Sequence, residues 1–208
     1  MIKEVYLIRH SKPLKVNNDK NMDSLQIQNE KQPLSIEGEN IAREKLNIEE
    51  LKDIDKLYSS SYVRAISTAK YIAENNNIEI NVINDFGERK FGINSWDELP
   101  DNFGEKQFLD ENYKTEFGES QKEVRERTFN ALMNVLKSDD KKIAIVFHGT
   151  AMLFLIMTWC KVVPDSDKYK IFFNGNELLW GKHFDFCETF KLTFNDNKLI
   201  DIKNIKHD

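Results

Sequence analysis

Cysteine is scarce in this chain: among 208 residues only Cys160 and Cys187 occur, with neither CxxC spacing nor a flanking histidine pattern. A disulfide framework and a zinc motif are therefore unsupported, and a reducing compartment is the expected setting. An excess of basic charge is also missing. Lysine and arginine number 30 against 35 aspartates and glutamates, a formal charge of −5. That is the wrong sign for a general nucleic-acid binder, and it confines any anion site to a local cluster. There is no long hydrophobic run either. The longest uncharged apolar stretch, Gly149 to Cys160, falls short of the roughly 20 residues that cross a bilayer and reads as a buried helix. The N-terminus, MIKEVYLIRH, meets charge at once and lacks the apolar region and small-residue cleavage site of a secretory signal. A cytoplasmic protein without membrane attachment is the expectation. No repeat or low-complexity linker divides the chain, and no GxxxxGK[ST] or post-strand GxGxxG supports a nucleotide-binding loop.

What is present is a globular composition, 40% apolar and 31% charged. One domain over residues 1–208 would bury roughly 70% of its unfolded surface and needs no staple to close its core. Apolar β-type runs alternate with helical stretches, which argues for an α/β layered fold with a mostly parallel sheet. Residues 4–9 read as the first strand and residues 11–33 as a long polar loop. Ser35 can cap a helix running to about Leu46, with Ile36, Ile41 and Leu46 among its apolar positions. Residues 55–59 read as a second strand. Val63, Ile66, Ala69, Ile72 and Ala73 recur at three- and four-residue steps, predicting a helix over 62–75 that ends at a run of asparagines. Residues 78–83 alternate as a strand, and 85–118 read as aromatic, irregular structure with short helices, a variable cap around 90–118. Residues 119–137 form the clearest helix, and 142–147 the near-continuous apolar run of a central strand. A helix from His148 to about Cys160 follows. Two late strands, near 178–184 and 186–194, a turn at 172–176, and an edge strand or loop beyond Leu199 complete the pattern.

Two histidines stand one step beyond apolar strands: His10 after VYLIR and His148 after IAIVF, the latter followed by Gly149 and Thr150. In open α/β sheets the ligand crevice lies at the carboxyl ends of the strands, so both imidazoles would project into it. Either histidine alone reads as structural; the pair reads as chemistry. A third strand end carries serines and Arg64 at the turn into a helix, and Arg9 adds a second guanidinium beside His10. Two arginines and two histidines at strand ends suit a phosphoryl group.

These residues carry a resemblance to the histidine phosphatase superfamily, the phosphoglycerate mutase-like family, in six segments and in the family's order. LIRHSKP resembles its Arg-His-Gly signature and PLSIEGENIA its usual helix opening. LYSSSYVRAISTA resembles its Ser-Ser, Arg-Ala, Thr-Ala segment. FGERKFG resembles the stretch holding its catalytic acid, FGESQKEVRER its Gly-Glu-Ser lead-in to a long helix, and FHGT its second histidine motif. The resemblance implies a three-layer α/β/α sandwich. It implies His10 as the nucleophile that forms a phosphohistidine, Arg9, Arg64 and His148 as holders of the phosphoryl oxygens, and Glu88 as the proton donor and later the base. Ser11, Asn17, Arg89 and Thr150 are the implied substrate contacts. No metal and no cofactor is implied, and the partner is a small phosphorylated substrate; a homodimer is left open.

The chain also departs from the family. Ser11 stands where the family has glycine after the nucleophile, and Lys12-Pro13 replace the Glu/Ser or Glu/Thr pair of the mutases. Proline supplies neither a hydroxyl nor a backbone donor. Val16 stands where many relatives have asparagine, with Asn17 one residue on. GERKFG resembles the corresponding stretch of the cofactor-dependent mutases, with Arg89 and Lys90 as cations for a carboxylate or second phosphate, but the altered stretch after His10 and the compact length favour a phosphomonoesterase over a mutase. A catalytically silent phospho-ligand binding protein is the third reading, opposed by the joint presence of His10, His148, Arg9, Arg64 and Glu88. Phe91, Trp96, Phe103, Phe108, Tyr113 and Phe117 either pack an irregular cap or line a substrate pocket.

Overall fold

The computed structural model describes residues 1–16, 24–165, 168–181 and 184–206. Its elements run β1 (Ile2–Arg9), α1 (Leu25–Lys31), α2 (Ile36–Lys45), β2 (Lys56–Ser59), α3 (Val63–Asn76), β3 (Ile80–Val82), α4 (Phe103–Leu109) and α5 (Gln121–Val135). The chain continues through β4 (Lys142–Phe147), α6 (Gly149–Ile156), β5 (Lys161–Asp165), β6 (Lys168–Phe173), β7 (Asn176–Gly181), β8 (Thr189–Asn195) and β9 (Lys198–Ile205). The central sheet has the order β3-β2-β4-β1-β8-β9. Its first four strands are parallel, and β8 and β9 join antiparallel at the β1 side.

Strand periodicity explains why helices cover both faces. Along β1 and β4, Val5, Leu7, Ile143, Ile145 and Phe147 enter one core with Leu132 of α5 and Leu155 of α6. The alternate residues Tyr6, Ile8, Ala144 and Val146 enter a second core with Ala42 of α2 and Ile72 of α3. A strand buried on both sides has no solvent face, which is why its sequence is an unbroken apolar run. The result is an α/β/α sandwich with a mixed, mostly parallel central sheet. Among the described residues no helix is long and apolar enough to cross a membrane.

Local signals set the helix ends. Ser120 and Glu123 make a reciprocal capping box, so α5 starts at Gln121. Asn77, at φ 52°, closes α3 in the left-handed conformation that asparagine tolerates. Ser35 caps α2 by accepting from the Gly38 amide at 3.0 Å.

Four expectations are corrected. The loop over 11–33 contains α1, capped by Ser24 and without a single buried residue, so it left no apolar stripe in the sequence. Ile36 is 86% exposed, because α2 buries Gly38 and Ala42 instead of its first residue. The helix after His148 stops at Ile156, and β5, β6 and β7 form a separate antiparallel sheet whose Ile171 is fully buried in the first core. Its β6–β7 hairpin turns on Asn174-Gly175, both at positive φ, as a two-residue turn requires. Finally, β8 begins at Thr189, and residues 184–188 form a turn.

Leu132→Ala should cost about 2–5 kcal/mol, as for a fully buried leucine, whereas Ile36→Ala should stay within about 0.5 kcal/mol. Urea unfolding midpoints check both; equal losses would contradict the burial pattern.

Candidate active site

Neighbouring strands β2, β4 and β1 deliver Ser60, His148 and His10 to one sheet edge. The ladder extends into the site: the His10 amide donates to the Phe147 carbonyl at 2.9 Å and the Ser60 amide to the Val146 carbonyl at 3.1 Å. Both imidazoles are buried, with ring centroids 5.1 Å apart.

Arg64, in the first turn of α3, joins them. His10 Nδ1 lies 2.7 Å from the Ser11 carbonyl oxygen. A carbonyl only accepts, so Nδ1 carries the ring proton and Nε2 carries the lone pair. Arg64 Nε donates to that Nε2 at 3.0 Å. Arg64 Nη2 stands 3.2 Å from His148 Nδ1, which must accept because a guanidinium only donates. The His148 proton therefore sits on Nε2, 2.8 Å from Ser60 Oγ. Arg64 Nη1 donates to the Asn29 carbonyl of α1, and the guanidinium lies 4.9 Å from the Tyr62 ring centroid.

This arrangement keeps both imidazoles neutral. Burial pushes the His10 pKa well below the usual range; the Arg64 charge adds to it, the Ser11 carbonyl opposes, and Arg9 lowers it further. Burial is also the main cause for His148, followed by Arg64 and then His10, with smaller contributions from Arg127 and Arg9.

Arg9 is positioned by a tight turn in a stretch whose sequence reads as strand. It donates to the Phe184 carbonyl and lies 4.7 Å from the Phe186 ring centroid. Its amide donates to the Glu188 carbonyl at 2.9 Å. Cys187 takes φ 62° to close this turn. Arg9 Nε is buried without a partner, beside Gly149, where an added Cβ would stand 3.3 Å from it.

Glu88 is fastened to the start of α6. Its Oε1 accepts from the Ala151 and Arg89 amides at 2.9 Å each, and Oε2 accepts from the Thr150 amide at 3.2 Å. His148 immediately precedes that helix, so one helix start locates both groups. An ion pair clamps the segment on either side of Glu88. Arg127 donates to the carbonyls of Asp85 (2.7 Å), Gly87 (3.0 Å) and Glu88 (3.1 Å) while its Nε binds Glu119 Oε1 at 2.7 Å. Glu119 Oε2 accepts the Lys90 amide at 2.9 Å. Burial pushes the Glu119 carboxyl up, but the Arg127 hydrogen bond and charge, with those of Lys90, hold it below its usual range.

His10, His148, Arg64, Arg9 and Glu88 thus meet at one end of the sheet. The Glu88 charge acts on both the Arg9 and Arg64 guanidiniums. That charge also acts on Arg89, which turns into the cap: it donates to Gln107 and lies over Phe91 (4.4 Å) and Phe103 (5.2 Å), with its Nε buried and without a partner. Ser11 spends its hydroxyl on the Gly38 carbonyl at 2.6 Å and its amide on Thr68 at 2.9 Å. Thr150 contributes an amide to Glu88. Asn17 lies outside the described residues. Ser60, Tyr62, Asn29 and the Glu119–Arg127 pair gained no individual role from sequence. Ser60 and the ion pair lie inside quoted motifs, whereas Asn29 acts through its backbone and leaves no side-chain signal.

The lowered histidine pKa values have a stability consequence. The unfolded chain binds protons at these histidines below about pH 6.5 and the folded one does not, so their stabilising contribution is full above pH 6.5 and falls as pH drops. His10→Gln should flatten the loss between pH 6 and 5 by up to about 1.4 kcal/mol per pH unit. Denaturation at each pH measures this, and an unchanged slope would mean that folded His10 is protonated.

Solved structures of phosphatases and a mutase share this fold. A mycobacterial glucosyl-3-phosphoglycerate phosphatase superposes with a TM-score of 0.72 at 17% identity, covering 98% of this chain and 97% of that one. Its complex with inorganic phosphate gives 0.68 at 15%, covering 98% and 96%. A phosphoglycerate mutase from Bacillus anthracis gives 0.64 at 19%, covering 98% and 92%. No curated protein matches by sequence. The family model described as histidine phosphatase superfamily (branch 1) matches residues 5–175, most of the chain, and the protein belongs to that superfamily.

Proposed function

We propose that the protein is a phosphomonoesterase that works through a phosphohistidine on His10, with neither metal nor cofactor. The observation that carries this reading is the protonation pattern of His10: Nδ1–H is tied to the Ser11 carbonyl, and the Nε2 lone pair faces the Arg64 guanidinium. A nucleophile needs that bare nitrogen, and a transferring phosphoryl group needs cations where its equatorial charge develops. Arg64 and Arg9 supply them.

The steps follow from these groups. A substrate monoanion displaces the two imidazole lone pairs as acceptor for Arg64 and passes its proton to Glu88. His10 Nε2 attacks phosphorus as the ester P–O bond breaks, and Glu88 returns the proton to the departing oxygen. The positive charge arising on the imidazole is met by the Ser11 carbonyl at Nδ1–H. Glu88 then removes a proton from water, the resulting hydroxide attacks phosphorus, and His10 leaves as the neutral ring. Hydrolysis is favoured over mutase transfer because a mutase must grip a second anionic group. Of Arg89 and Lys90, the two cations the sequence offers for that role, Arg89 is engaged by Gln107, Phe91 and Phe103, while Lys90 lines the cleft beside Glu88. After His10 the Ser11 hydroxyl is spent on the Gly38 carbonyl, Lys12 pairs with Glu37, and Pro13 has no hydroxyl to offer in exchange.

With EDTA present, wild type should hydrolyse p-nitrophenyl phosphate and carry an acid-labile, alkali-stable phosphate during turnover. His10→Ala should lose both, by on the order of 10⁴-fold or more in rate; retained turnover removes His10 as nucleophile. Glu88→Gln should slow alkyl phosphates by about 10²-fold or more while affecting the good leaving group p-nitrophenolate far less. Arg127→Met should shift the same ratio in the same direction by a smaller factor. Equal losses on both substrate types would argue against acid catalysis by Glu88.

A further inference from the structure

Two clefts of contrasting chemistry adjoin the proposed leaving-group side. The first, about 220 Å³, is lined by Glu88 together with Glu30, Ser61, Asn84 and Asp85. The second, about 280 Å³, lies between α1 and the cap; Phe91, Trp96 and Phe117 give it an aromatic side, facing the polar Gln26, Asn29 and Asn94. They share Lys90 as a wall, and they also meet where Gln26 of the second donates to the Tyr62 hydroxyl of the first at 2.8 Å. Each alone is smaller than the roughly 300–1,000 Å³ of a typical small-molecule site; together they fall within it.

The two linings ask for different parts of one molecule. Carboxylates, an amide and a hydroxyl around Glu88 accept hydrogen bonds from hydroxyl groups, and Glu30, Asp85 and Glu88 outnumber the Lys90 and Arg127 cations of the same lining, a net negative charge that disfavours a second anionic group. Arg127, the guanidinium in that cleft, is already spent on Glu119 and on three carbonyls. In the second cleft, Trp96 and Phe117 remain 56% and 79% exposed, aromatic side chains left uncovered in a cleft that adjoins the Glu88 cleft at Lys90. A planar ring stacks on such faces without requiring hydrogen-bond partners.

We propose that the substrate is a sugar phosphate bearing a planar ring. Its phosphoryl group meets His10, its sugar hydroxyls meet the polar cleft, and its ring lies against Trp96 and Phe117. This rests on the phosphomonoesterase reading and adds the class of leaving group to it.

The test compares kcat/KM for adenosine 5′-monophosphate, flavin mononucleotide, ribose 5-phosphate and 3-phosphoglycerate in wild type and in the double variant Trp96→Ala with Phe117→Ala. At least one of the two ring-bearing phosphates should exceed ribose 5-phosphate by about tenfold, the size of one base–aromatic stacking contact, and 3-phosphoglycerate should be the poorest. The double variant, with its thermal midpoint confirming the fold, should bring the ratio of ring-bearing to ringless substrate close to one. Ratios near one in wild type, or a preference that survives both substitutions, overturn the proposal. Turnover of p-nitrophenyl phosphate that disappears in His10→Ala would in that case leave the phosphomonoesterase reading standing. Absence of that turnover in wild type would remove both.

Discussion

Arg64 is the interaction on which the rest of the site depends. A guanidinium buried to 4% exposure is costly unless its donors are used, and Arg64 spends them on two imidazole nitrogens and a backbone carbonyl. Each of those acceptors is thereby assigned a state. His10 must present a lone pair at Nε2, and His148 must present one at Nδ1. Neither ring can gain a proton without placing like charges side by side in a buried setting, so burial and Arg64 together keep both rings neutral, the form in which the proposed nucleophile reacts. An anion that enters replaces neutral acceptors with charged ones. The site is thus electrostatically poised for a phosphoryl group before one arrives, which is where most of the benefit of a preorganised site resides.

Around that centre, the supporting contacts use backbone more than side chains. Glu88 is held by three amides, its segment by three carbonyls on Arg127, and Arg9 by the Phe184 carbonyl and the turn closed by Cys187. Gly38 illustrates how closely such pieces fit: a Cβ there would meet the Lys12 carbonyl oxygen at 2.0 Å, so α2 can pack on the strand extension after His10 only because residue 38 is glycine. Displacements well below the length of a hydrogen bond would misplace a proton donor or a nucleophile, and a framework of main-chain contacts resists them.

The sheet and its catalytic edge were legible in the sequence because their signals are local and strong. IAIVF is buried on both faces and so wholly apolar, and His10 and His148 directly follow β1 and β4, whereas Arg64, five residues beyond β2, was marked by the Ser-Ser, Arg-Ala segment around it. α1 was illegible for the opposite reason: a helix with no buried residue leaves no periodic stripe, and its contribution through the Asn29 carbonyl is independent of side-chain identity. In the β5–β7 sheet, β7 and its turn at Asn174-Gly175 were legible while β5 and β6 were not, and the end of α6 was overshot because periodicity does not mark where a buried helix stops within an apolar run that continues to Cys160. The contacts of Arg89 were illegible because the faces of Phe91 and Phe103 that engage it are only brought near by the cap.

This division between legible and illegible parts corresponds to a division of labour. The phosphoryl side rests on adjacent parallel strands whose register is set by a core packed on both faces, so its geometry is rigid and its residues fall at predictable positions. The leaving-group side is assembled from α1 and the cap, elements with polar contacts and exposed aromatics, where an insertion or substitution changes the lining without disturbing the sheet. Glu88 belongs to both halves, tied by amides to α6 and by Arg127 to the lead-in of α5, while Lys90, two residues on, already faces the clefts. On the proposed reading, the chemistry remains constant while the group being released is chosen a few residues away, by surfaces that contribute little to holding the fold together.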